Sequence, residues 1–123
     1  MGVMRGVYVL IISVVKDVRV HVGALGSVNF EKGLYAYVGS AQNSLEKRIA
    51  RHLMMGKPKF WHIDYLLDNN AANVLKVFYK EAGKHEECKI AGRICEIGVP
   101  IKSFGSSDCK CESHLIKIKN CDF

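Results

Sequence analysis

Three stretches decide the fold: VYVLIISVV at residues 7–15, GLYAYVGSA at 33–41 and LEKRIARH at 45–52. The first is rich in β-branched and aromatic residues and reads as a buried strand. Side chains alternate across a strand, so Gly6, Tyr8, Leu10 and Ile12 share one face. Residues 34–39 read as another strand, with Tyr35, Tyr37 and Gly39 on one face. If the two strands are neighbours, their phenols converge on one side of a sheet. Tyrosine is also an ordinary strand residue that packs a core edge, and for any single tyrosine that is the better reading. The third stretch changes period. Asn43 or Ser44 can cap a helix, and Glu46 places a carboxylate near the positive end of its dipole. Leu45, Ile49 and Leu53 recur every fourth residue as one apolar stripe. Gly56 ends this helix and Pro58 stops it resuming.

Outward from these stretches, Val18, Arg19, Val20, His21 and Val22 alternate apolar and polar, which predicts a half-exposed strand over 18–25. That strand is expected to form a hairpin with the first. Gly23, Gly26 and Gly33 punctuate the loop that follows. Residues 61–68 read as a short helix and 73–80 as a strand. Residues 84–97 carry Ile90, Ile94 and Ile97 at helical spacing, ended by Gly98 and Pro100. Residues 101–114 read as an irregular loop and 115–119 as a last strand. The order of elements predicts an α+β sandwich around an antiparallel sheet. It forms one domain over 1–123, with a Cys-rich segment at 104–121 near its end.

Composition narrows the function classes. Eighteen basic residues against twelve acidic ones give a net charge of +6, which favours a polyanionic partner through counterion release. The apolar run at 6–15 is too short to span a bilayer and lacks a small-residue cleavage site before Lys16 and Asp17. The expectation is therefore no membrane span, no signal peptide and a cytoplasmic location. Five cysteines, all in the last third, do not form a secreted disulfide framework.

On the helix at 45–53, Arg48 and His52 stand one turn apart, roughly 100° and 60° from the centre of the apolar stripe. Both flank the packed face. Lys47 and Arg51 fall nearly opposite it and are expected to be solvated. Spacing alone favours an ordinary exposed charge for Arg48, although its planar guanidinium also suits a phosphate.

The string Gly6-Val7-Tyr8, then Tyr37-Val38-Gly39, then Arg48 with His52 one turn on, resembles the signature of the GIY-YIG nuclease superfamily, with valine in place of both isoleucines. GLYAYVGSA, LEKRIARH, FWHIDYLL, EECKIA and FGSSDCKCESHL are similar to an uncharacterised branch of that superfamily, common in archaea and also found fused to DNA glycosylases. The resemblance implies a central antiparallel sheet of three core strands flanked by helices. It implies an endonuclease that hydrolyses DNA phosphodiester bonds with one Mg2+ or Mn2+ ion, in DNA repair or processing, and no small-molecule cofactor. It assigns catalytic roles to Tyr8, Tyr37, Arg48 and His52. The metal falls to Glu87, with Glu86 its rival. Lys47, Arg51, Lys57, Lys59 and His62 make the expected DNA-facing set. Asp108 stands where many members carry a late asparagine, since Asn120 lies too close to the C-terminus. The alternatives are a DNA-binding module of the same fold without catalysis and a zinc-stabilised interaction domain. The latter would use Cys88, Cys109, Cys111 and His114. For these cysteines, packing or a structural bond such as Cys88–Cys109 ranks above zinc.

Overall fold

The computed structural model describes residues 5–54, 59, 61–104 and 113–119. It is an α+β fold. Seven strands are present among these residues: β1 (Gly6–Val14), β2 (Val18–His21), β3 (Ser27–Phe30), β4 (Gly33–Ala41), β5 (Ala72–Glu81), β6 (Val99–Pro100) and β7 (Leu115–Ile118). Three helices join them: α1 (Leu45–Leu53), α2 (His62–Leu67) and α3 (His85–Ile97). Five strands form one antiparallel sheet in the order β5-β1-β4-β7-β6, and β2 and β3 pair separately.

The unbroken apolar run of β1 explains its inner position. Tyr8, Leu10, Ile12 and Val14 pack into one cluster on one face, while Val7, Val9 and Ile11 pack into a second on the other. A strand buried on both faces has no polar side to offer water. Helices α1 and α2 cover the first face through Leu45, Ile63, Leu66 and Leu67. Helix α3 covers the second through Ala91 and Ile94.

Several expectations need correction. The sheet has five strands, not three, because β7 adds to β4 and the two-residue β6 adds to β7. The hairpin between the first two strands does not form. Both edges of β1 are already taken by the nine-residue β4 and the ten-residue β5, which satisfy its backbone along its whole length. The four-residue β2 instead pairs with β3, inside the expected glycine loop, and lays Val20 and Phe30 on the first core cluster. Leu53 does not belong to the buried stripe of α1. It is 54% exposed, and His52 is buried in its place. No helix among the described residues is long and apolar enough to cross a membrane.

Candidate active site

The site begins with the register of β1 and β4. Tyr8 lies opposite Gly39, and Leu10 opposite Tyr37, so both phenols stand on the same face with ring centroids 6.5 Å apart. A Cβ on Gly39 would sit 2.4 Å from the Tyr8 hydroxyl. The Tyr8 ring lies across the space that any larger residue at 39 would fill, which is why glycine stands there.

Helix α1 starts four residues after β4. Ser44 caps it, its Oγ accepting from the Lys47 N–H at 3.2 Å, and Leu45 anchors it in the core. One face of α1 thus returns to the tyrosines. His52 is buried, with Nε2 2.6 Å from the Tyr8 hydroxyl, and its ring touches those of Tyr37 and Trp61. Arg48 donates to the Ser40 carbonyl at 2.9 Å, and its guanidinium lies 4.3 Å from the Trp61 ring centroid.

Arg51, expected in solvent, is instead fixed. It makes two bonds to the buried Asp64 carboxylate, at 2.9 and 3.1 Å, and also lies over Trp61. Asp64 Oδ2 accepts the Trp61 N–H as well, at 3.0 Å. Helix α2 packs on the side of α1 that the apolar stripe leaves bare, and Asp64 brings the charge that meets Arg51.

Glu87, on α3, approaches from the far side. Its Oε1 is 3.4 Å from Nδ1 of the buried His114, just ahead of β7. Burial lowers the His114 pKa, and the opposing pull of Glu87 does not restore it. Glu86 points elsewhere, toward Lys80, His85 and Lys89, and is not the cleft carboxylate.

Tyr8, Tyr37, Arg48 and Glu87 line one cleft of about 600 Å³, and Lys47, Arg51, His62 and His114 line it with them. His52 stands behind Tyr8 as its hydrogen-bond partner. Lys59 turns away to Asp68, at 3.3 Å. Lys57, Cys109, Cys111, Asp108 and Asn120 lie outside the described residues.

The model of the family described as Domain of unknown function DUF123 matches residues 7–123. The chain belongs to the DUF123 family. No curated protein and no solved structure matches it.

Two features of this DUF123 chain were absent from the sequence reading. Trp61 and Asp64 hold the arginines of α1, and Lys84 lines the cleft one turn before Glu87. A helix-to-helix ion pair leaves no periodic trace, and an exposed lysine at a helix start resembles any other. The cysteines also resolve in part. Cys88 is disulfide-bonded, and a sulfur so engaged is not a zinc thiolate. Cys95 turns its Sγ to the Ser113 carbonyl at 3.8 Å. Among the described residues no three His, Cys, Asp or Glu side chains gather as a metal cluster.

Burial pushes the Tyr8 hydroxyl up to about 12 despite the nearby Arg48, and Tyr35, buried near Glu31, also to about 12. Tyr37 is held well above the ordinary phenol value by burial. Raised phenol pKa values keep these groups protonated in the fold at a pH where the unfolded chain ionises. Their stabilisation is full below the ordinary value of 10.0 and is lost as pH rises through about 12. Melting temperature should therefore fall between these limits, and Tyr8→Phe should fall less steeply. Parallel slopes for the two proteins would refute this origin.

Proposed function

We propose that the chain is a GIY-YIG-type endonuclease that hydrolyses DNA phosphodiester bonds with one Mg2+ or Mn2+ ion, in DNA repair or processing. The observation that carries this reading is convergence. Tyr8 from β1, Tyr37 from β4, Arg48 from α1 and Glu87 from α3 meet at one cleft, although they are far apart in sequence.

The donor set fits such an ion. Mg2+ is a hard cation that commonly takes one or two carboxylates and completes its shell with water and substrate phosphate, so Glu87 suffices as the protein ligand. When bound, the ion polarises the phosphate and stabilises the leaving oxygen. The remaining work falls to this chain's own side chains. Arg48, fixed by Ser40 and Trp61, offers a fork to the phosphate oxygens as they gain charge. Tyr8 stays neutral at neutral pH and is no base by itself. Its hydroxyl lies 2.6 Å from His52 Nε2, so it can take a proton from water while its own passes to the ring, in the tautomer that leaves Nε2 open. The phenolate then need not accumulate.

The raised pKa of Tyr8 also favours a second reading, a DNA-binding module of this fold without catalysis. Incubation with nicked and branched DNA plus Mg2+ or Mn2+ separates the two. Salt-sensitive binding with no cleavage selects the module. Cleavage that survives both Arg48→Ala and Glu87→Ala belongs to a contaminant and ends the nuclease reading.

A further inference from the structure

Resting on the nuclease reading, we propose that the DNA strand crosses the cleft from α1 to α3, with Lys47 and Lys84 holding the phosphates on either side of the one at Arg48. The DNA-facing set read from the sequence is Lys47, Arg51, Lys57, Lys59 and His62, and Lys84 is not in it. Arg51 is committed to Asp64 and Lys59 to Asp68, so their charges are already answered by carboxylates. Lys47 and Lys84 differ. Both are exposed and both line the cleft, Lys47 from α1 and Lys84 from the start of α3. Among the described residues neither has a carboxylate partner, whereas Lys80, Lys89 and Lys117 are ion-paired.

Their placement follows from the helices. Lys84 precedes Glu87 by three residues at the start of α3, so the two share a face with Cβ atoms roughly 5–6 Å apart. Lys47 adjoins Arg48 in the first turn of α1. Lys47 therefore flanks the arginine assigned to the scissile phosphate, and Lys84 the carboxylate assigned to the ion. The end of β4, residues 39–41, lines the same cleft, and no side chain there exceeds serine or alanine, so a sugar–phosphate backbone can lie low. Lysine suits flanking phosphates because it acts as a mobile point charge and sets no angle, while Arg48 keeps the fixed geometry.

The test measures binding without cleavage. A fluorescein-labelled single-stranded oligonucleotide is titrated with the whole chain in EDTA at several salt concentrations. Each phosphate contact contributes about 0.7 to the slope of log K against log salt on a single strand. Lys84→Gln and Lys47→Gln should each lower the slope by about 0.7, and the double variant by about 1.4. Lys59→Gln should leave it unchanged, and Lys84→Arg should preserve it. A wild-type slope for Lys84→Gln, or an equal loss for Lys59→Gln, overturns the proposed track. A chain that shows these slopes yet cuts nothing with Mg2+ keeps the track and loses the nuclease assignment. A wild-type chain that binds no DNA at low salt loses both.

Discussion

On the proposed nuclease reading, Arg48→Ala is expected to slow DNA cleavage by about 10²–10³-fold, the usual cost of removing one donor aimed at transition-state charge. The loss is chemical, not structural. Arg48 is half-buried at the cleft wall, and its hydrogen bond to the Ser40 carbonyl is worth about 1 kcal/mol. The variant should therefore melt near the wild-type temperature while its initial rate on nicked duplex collapses. Arg48→Lys separates charge from shape. It keeps the cation and loses the planar fork, so it should fall between the two. Rates equal to wild type for Arg48→Ala, with Glu87→Ala inactive, would remove the arginine from the chemistry and leave only the carboxylate.

Asp64→Ala gives the largest expected loss of stability, about 3 kcal/mol. Removing one partner of a buried pair costs roughly 3–5 kcal/mol, and the lower figure applies because the Arg51 side chain keeps 21% of its surface in water. The carboxylate is wholly buried and answers two guanidinium bonds and the Trp61 N–H. Its loss takes this acceptor from all three donors. For a chain of this length the melting temperature should drop by about 10 °C. Cleavage should fall too, since Trp61 is the surface on which Arg48 rests. Asp64→Asn keeps the shape and one acceptor and should be milder. An unchanged melting temperature for Asp64→Ala would show that this pair holds α1 to α2 weakly.

The parts legible in the sequence were those written in a single period. Alternation in β1 and β4 placed Tyr8 and Tyr37 on one face, and the four-residue step from Arg48 to His52 placed both beside it. Helix α3 and strand β5 lay within a residue or two of their expected bounds. Pairing was another matter. Alternation marks a strand but does not name its neighbour, so β2 was joined to β1 when it belongs to β3. Arg51 was misplaced for a similar reason. A helical wheel assumes one buried face, and α1 has the sheet on one side and α2 on another. Lys84 left no signal until the start of α3 fixed its register with Glu87.

The cleft is also a matter of unequal lengths. Strand β4 has nine residues and β7 has four, and their ladder ends at Tyr37 opposite Leu115. One further bond follows, from the Val38 N–H to the His114 carbonyl at 2.9 Å. Among the described residues no ladder continues on that edge beside residues 39–41. The site lies beside the point where the β4–β7 ladder of the described residues ends. Two of the proposed reacting groups, Tyr8 and Tyr37, are also core residues of inner strands, so a change of chemistry at this site is at the same time a change of packing.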